Sequence, residues 1–186
     1  MSRGSHETEI KLALPDAARG RRVLRKAGFR VTGRRVFEAN TVFDTAGLTL
    51  RRTRRLLRVR QVRGEVILTY KGTPVTSRHK SREELELTVS DARRFTDILE
   101  RLGFHPKFRY EKYRTTYKQA GVAGEAVLDE TPIGVYLELE GNPRWIDRTA
   151  RLLGFATEDY ITASYGRLYL DWCGERGVEP SDMVFR

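Results

Sequence analysis

Three stretches of this chain are built on one plan, an alternating Glu-x-Glu segment, a helix, and a closing Gly-Phe. They are "ETEIKLALPDAARGRRVLRKAGF" at 7–29, "ELELTVSDARRFTDILERLGF" at 84–104 and "ELEGNPRWIDRTARLLGF" at 138–155. In a strand, alternate side chains share a face, so Glu7, Glu9 and Lys11 lie together, as do Glu84 with Glu86 and Glu138 with Glu140. Paired acids from several strands repel one another in an apolar core. The helices between them carry apolar positions such as Val23, Leu24 and Ala27, or Phe95, Ile98, Leu99 and Leu102, and these need a greasy sheet face to cover. Leu85, Leu87, Val89, Leu137 and Leu139 are expected to supply it. A sheet that is apolar outside and charged inside closes naturally into a barrel with a polar lumen. The Gly-Phe ends have a structural reading, since glycine closes a helix and an aromatic covers core.

Period-two runs predict strands at 6–14, 29–38, 56–62, 66–71, 82–89, 108–117, 124–129 and 135–141. Gly64 and Gly121 mark turns. Helices are expected over 16–27, 91–102 and from Asn142 and Pro143 to about Leu153, with Asp16 as an N-cap and Gly28 as a stop. Residues 44–52 read as a loop with a short helical turn, and His105-Pro106 as a loop after a helix. The length of 186 residues and 39% apolar content suit one domain. That domain is expected at 6–173, with flexible ends at 1–5 and 177–186 and with Gly177 onward fraying. The N-terminus lacks the hydrophobic segment of a signal peptide, and no apolar run is long enough to span a bilayer. The single cysteine, Cys173, fits a reducing compartment, and a cytoplasmic location is expected.

The net charge of +10 favours a polyanionic partner. Its cations fall on strand faces: Arg58 with Arg60, Lys80 with Arg82 in phase with Glu84 and Glu86, Lys112 with Arg114, and Lys71 at the end of "TYK". Arginine and lysine bind phosphate oxygens directly. Carboxylates repel those oxygens unless a hard divalent cation such as Mg²⁺ or Mn²⁺ stands between them. A lumen carrying both signs therefore suits a triphosphate with its metal. The same alternation also suits a solvated sheet with cross-strand ion pairs. His6, His79 and His105 have no metal-ligand spacing, and "RRTRR" at 51–55 is either a solvated loop or an anion-steering cluster. No phosphate-binding glycine loop, dinucleotide fingerprint or nucleophile elbow occurs.

Glu7-x-Glu9-x-Lys11 resembles the signature of the CYTH superfamily, the triphosphate tunnel metalloenzymes, whose members include class IV adenylyl cyclases, thiamine triphosphatases and inorganic triphosphatases. The likeness continues in order through "NTVFDTAGLTL", Arg58-x-Arg60, "TYKG", "HKSREELEL", "EKYRTTY", "VLD" and "YLELE", from Glu7 to about Tyr169. Val42 departs from the family's frequent tyrosine. The resemblance implies an α+β fold, an eight-stranded antiparallel tunnel with peripheral helices. It implies metal coordination by Glu7, Glu9, Glu138 and Glu140, with Glu84, Glu86 and Asp129 completing the acidic set or orienting bases. Lys11, Arg58, Arg60, Lys71, Arg82, Lys112 and Arg114 would cradle phosphate, with Lys80 inside or at the mouth and Arg167 and Ser164 as candidates for a late contact. Glu7, Glu9 and Lys11 are the expected catalytic group. The implied activity is a Mg²⁺- or Mn²⁺-dependent triphosphatase acting on tripolyphosphate, thiamine triphosphate or a nucleoside triphosphate. Alternatives are an adenylyl cyclase releasing pyrophosphate from ATP, and a polyphosphate- or RNA-binding module without turnover. The leading reading has a small triphosphate as partner, no membrane or nucleic acid, and a monomer or homodimer as the assembly.

Overall fold

The computed structural model describes residues 5–186. Strand β1 (Ser5–Leu14) leads into α1 (Ala17–Lys26), then β2 (Arg30–Asp44), the short α2 (Thr49–Arg52), β3 (Leu56–Val62), β4 (Glu65–Lys71) and a two-residue β5 (Val75–Thr76). The second half runs β6 (Lys80–Val89), α3 (Ala92–Arg101), β7 (His105–Lys118), β8 (Glu125–Thr131), β9 (Gly134–Glu140), α4 (Pro143–Leu152) and α5 (Tyr165–Arg176). Strand order is β1-β9-β8-β7-β2-β3-β4-β6, and β6 pairs back to β1, so these eight antiparallel strands close a barrel while β5 only extends β6. The fold is α+β, with the helices outside.

Local chemistry sets the element ends. Asp16, Asp91 and Asn142 accept from the backbone N–H groups of Arg19, Arg94 and Arg144 at 2.7, 2.9 and 2.9 Å, capping α1, α3 and α4. Arg63 (φ 52°) and Gly64 (φ 82°) form a two-residue turn joining Val62 to its partner Glu65, the positive-φ pair that a tight hairpin demands. Gly20 lets α1 lie close on the sheet, because a Cβ there would sit 2.6 Å from Leu128 Cδ1.

The apolar face of β1 is the heart of the main core. Ile10, Leu12 and Leu14 pack with Leu128, Leu137 and Leu139, under Leu24 of α1 and Trp145, Ile146 and Ala150 of α4. Each fully buried aliphatic side chain contributes about 1.5–3 kcal/mol. Leu137 and Leu139 therefore match their expected place, but Leu85 and Leu87 do not. They are 43% and 61% exposed, because α3 lays Phe95 and Leu99 over Leu57, Val59, Val66 and Leu68 on β3 and β4 and leaves β6 uncovered.

Other boundaries differ from the sequence reading. Strand β2 continues past Glu38 to Asp44. His105 and Pro106 begin β7 and pair with Asp44 and Phe43, where a register shift between Val42 and Phe43 accommodates the proline. The aromatic tail forms α5, and the segment beyond Gly177 is docked at Met183. That residue is 1% exposed, accepts from Glu111 N and donates to Arg109 O, both at 2.9 Å. The expected fraying from 177 thus stops short of Met183, which pairs with a stretch of β7 that β8 does not reach. The expected loose segment 1–5 lies outside the described residues except for Ser5, whose backbone opens β1. No helix among the described residues is long and apolar enough to cross a membrane.

Candidate functional site: an ionic tunnel

The barrel encloses a cavity of about 1530 Å³. Glu7, Glu9, Lys11, Arg58, Arg60, Lys71, Lys80, Arg82, Glu84, Glu86, Lys112, Arg114, Glu138 and Glu140 all line it. Strand periodicity brings them there, since each is in phase with its neighbours on an inward face. Asp129 is fully buried behind this lining. The mouth adds Arg51, Arg54, Arg55, Lys107, Ser164 and Arg167 beside Leu48, Phe108 and Tyr169. Thus "RRTRR" contributes to the rim. Ser164 caps α5 by accepting from Arg167 N at 3.3 Å, and the Arg167 guanidinium pairs with Asp171 at 2.8 Å.

Around Asp129 the charges are matched. Arg114 donates from Nε to Asp129 Oδ1 at 2.8 Å and from Nη2 to Oδ2 at 2.7 Å, and also bonds Glu138. Lys112 and the Tyr165 hydroxyl each donate to Asp129 Oδ2 at 2.8 Å. Lys11 pairs with Glu138 at 3.1 Å and Glu9 at 3.5 Å, and both Lys11 and Lys112 lie 5.2 Å from the centre of the Tyr165 ring. Burial pushes the Asp129 carboxyl up, but Arg114 and Lys112 overcome it and hold the group at about 2. Burial likewise opposes the Lys11 charge, while Glu138 and Glu9 raise its pKa above the usual lysine value.

A second group surrounds Glu7. Lys71 lies between Glu7 and Glu84, 2.7 Å from the latter, and Lys80 bonds Glu9 at 2.8 Å. Burial and the adjoining Glu7 raise Glu84 to about 7, with Lys71 pulling the other way. Burial and the Lys11 and Arg82 charges lower Lys80 to about 8, against the pull of Glu9. Arg58 donates to the Tyr110 hydroxyl at 3.2 Å and to Thr69 at 3.1 Å. Arg60 meets Glu86 at 3.2 Å and Glu38 at 3.8 Å. Arg82, only 9% exposed, has no ion pair or hydrogen bond with the side chain of any described residue.

Glu7, Glu9 and Glu140 each offer a carboxylate oxygen, and these oxygens lie within 4.8 Å of one another. Glu140 bonds no base among the described residues, and burial with the Glu138, Glu7 and Glu9 charges raises it to about 8 despite Arg114. Three converging hard-oxygen donors, one without a partner, fit a divalent cation of the Mg²⁺ or Mn²⁺ kind. Glu84, Glu86, Asp129 and Glu138 each pair with bases, as Glu7 does with Lys71 and Glu9 with Lys80 and Lys11. Sequence reading missed Glu38, Asn40, Thr69, Tyr110 and Tyr165. Glu38-x-Asn40 carried a period-two signal, but the strand was ended at Glu38. Tyr165 enters from a helix and has no such signal.

A closed antiparallel barrel with interleaved acids and bases on its inner wall defines the tunnel class of triphosphate metalloenzymes. The chain belongs to the CYTH domain family, whose model matches residues 5–165. A Methanocaldococcus jannaschii protein with a provisional adenylate cyclase designation is 32% identical over 135 residues, 72% of this chain and 75% of that protein. A Pyrococcus horikoshii structure is 27% identical with a TM-score of 0.72, covering 87% of this chain and 98% of that one. A Hippeastrum protein, provisionally an adenylyl cyclase and reported to have a dominant triphosphatase activity, shares the fold. Its TM-score is 0.63 at 21% identity, over 94% of this chain and 97% of that one.

Proposed function

We propose that this protein is a divalent-metal-dependent triphosphatase that hydrolyses a triphosphate held in the tunnel. The observation that carries this reading is an acid triad, Glu7, Glu9 and Glu140, in a cavity whose wall also presents the bases Arg58, Arg60, Lys71, Lys80 and Arg82. A cation held by that triad supplies Lewis-acid polarisation of a phosphoryl oxygen and charge neutralisation. Arg82, free of acid partners, is the first base available to the incoming anion. Arg58, Arg60, Lys71 and Lys80 exchange carboxylate or hydroxyl partners for phosphate oxygens, and their fixed charges stabilise the transferring group without reorganising water. Lys11, Lys112 and Arg114 stay tied to Glu138 and Asp129 and keep the wall positive. The reported triphosphatase activity of the Hippeastrum protein supports the same assignment.

Cyclisation of ATP is the second reading, favoured by the designation of the archaeal relative and by a mouth with room beside Phe108 and Tyr169. Purified protein with Mg²⁺ or Mn²⁺ is to be given tripolyphosphate, thiamine triphosphate and ATP in turn. Orthophosphate release selects the triphosphatase, and cyclic AMP with pyrophosphate selects the cyclase. No turnover with either metal, together with tight RNA or polyphosphate binding, defeats both and leaves a binding module.

A further inference from the structure

Asn40 stands in the middle of β2, is 0% exposed, and has no hydrogen-bond partner for Oδ1 or Nδ2 among the described residues. It caps no helix and forms no turn, and asparagine is a poor strand former. An apolar residue of similar size would avoid leaving two buried polar atoms of one amide unmatched. Its surroundings show the complementary deficit. In the β2–β3 register, unbroken from Glu38 to Phe43, Asn40 is directly opposite Arg60, and on the other side it faces Tyr110 of β7. Glu38 is two residues away on the same inward face and reaches Arg60 at 3.8 Å. Arg60 Nε, a buried donor, and Glu38 Oε2, a buried acceptor whose nearest base is Lys112 Nζ at 3.6 Å, are also without hydrogen bonds among the described residues. Arg60 Nη2 meanwhile donates to Glu86 at 3.2 Å, a carboxylate shared with Thr69 and Arg58, while Nη1 lies 3.8 Å from Glu38.

These unmatched groups complete one another if Arg60 turns from Glu86 toward the lumen. We propose that Asn40 is a positioning residue for Arg60 in the anion-bound tunnel, accepting Arg60 Nε–H at Oδ1 and donating from Nδ2 to Glu38 Oε2. The inference rests on the triphosphate reading above, because the anion is what takes the terminal nitrogens of Arg60 from Glu86. Asn40 touches no substrate. It fixes the guanidinium plane so that both terminal nitrogens face the phosphate chain. The residue is thereby kept for a bound state at the expense of the free one.

The test is a double-mutant cycle with tripolyphosphate as the probe. Wild type, Asn40→Leu, Arg60→Ala and the double variant are titrated calorimetrically in EDTA, and KM and kcat are measured with Mg²⁺. Loss of a charge-assisted hydrogen bond should raise Kd and KM about tenfold in Asn40→Leu, with kcat nearly unchanged. The melting temperature of the ligand-free variant should equal or exceed that of wild type. In the Arg60→Ala background the same substitution should change Kd by less than about twofold. An undiminished tenfold effect there, or wild-type Kd with a lowered melting temperature in Asn40→Leu, overturns the inference and makes Asn40 merely structural. Asn40→Ser, carried through the same cycle, decides the matter if the leucine variant does not fold. Failure of wild type to bind tripolyphosphate with or without Mg²⁺ is a separate result, which removes the triphosphate reading itself.

Discussion

Asp129 is held by Arg114, Lys112 and Tyr165, and every charge around it has an answering group at bonding distance. Among the described residues Glu140, on the neighbouring part of the wall, bonds no base, and Arg82 across the Glu7 pairing bonds no acid. Both regions are ionic, buried and built from inward-facing strand positions. The difference lies in completeness. The matched cluster resembles a rigid structural element, since breaking one member strands the rest in a medium of low dielectric. On the proposed reading, the unmatched region receives an ion that arrives from solvent. Ionic lining alone therefore does not mark a functional group; an unanswered charge within a satisfied wall does.

Substitutions can break this contrast. Asp129→Asn should cost about 3–5 kcal/mol of stability, because Arg114 and Lys112 are left without their carboxylate; the midpoint of urea unfolding measures it. A loss under 1 kcal/mol would place Asp129 with the responsive groups. Glu140→Gln should leave the metal-free protein as stable as wild type or slightly more so, since a repelling carboxylate is removed. Its metal-dependent phosphate release should fall by on the order of a hundredfold. Thermal unfolding with Mn²⁺ sharpens the point: wild type should gain about 2.7 kcal/mol at a hundred times Kd, and Glu140→Gln should gain almost none. Arg82→Ala is expected to raise KM for tripolyphosphate about tenfold with little change in melting temperature. Equal losses of stability and affinity would show that Arg82 has a structural partner.

The smallest effect belongs to an ionic cluster outside the tunnel, which serves as a control. Asp147 accepts from His79, Arg78 and the Tyr160 hydroxyl at 2.7, 2.9 and 3.2 Å, tying the start of β6 to α4. Burial opposes ionisation of Asp147, but the His79 hydrogen bond and the His79 and Arg78 charges hold its carboxyl below the ordinary value. A depressed carboxyl adds stability above its unfolded pKa and loses it as pH falls through the folded one. The part of the stability gap between wild type and Asp147→Asn that comes from this depressed carboxyl should therefore close below about pH 4. Denaturant midpoints at stepped pH give the answer, and phosphate release at neutral pH should be unaffected.

The inward face of β1 was legible because strand period is a local property, and Glu7, Glu9 and Lys11 declare it within five residues. The barrel followed from the same rule applied to the later Glu-x-Glu strands. The partners within the lumen were not legible. Whether Glu138 meets a metal or Arg114 depends on which strands become neighbours, and that is fixed by the pairing of β8 with both β7 and β9. Asn40 escapes because the expected strand ends at Glu38, two residues short of it, whereas β2 runs on to Asp44. The exposure of Leu85 and Leu87 escaped because a helix's apolar stripe does not say which strands it will cover. Tyr165 reaches Asp129 from α5 across the mouth, a contact that no periodicity in either segment announces.

The pairing of β1 with β9 also has a temporal side. Ile10 finds Leu139, and Leu12 finds Leu137, only after the intervening chain has been made. At ribosomal speeds that interval is on the order of ten seconds. Throughout it β1 is a nascent segment whose one side, Ile10, Leu12 and Leu14, invites pairing with other unfinished chains. Glu7, Glu9 and Lys11 interrupt that apolar run at every second residue, in the manner of gatekeeper charges that discourage edge-to-edge aggregation. The alternation that lines the finished cavity thus guards the unfinished polypeptide first.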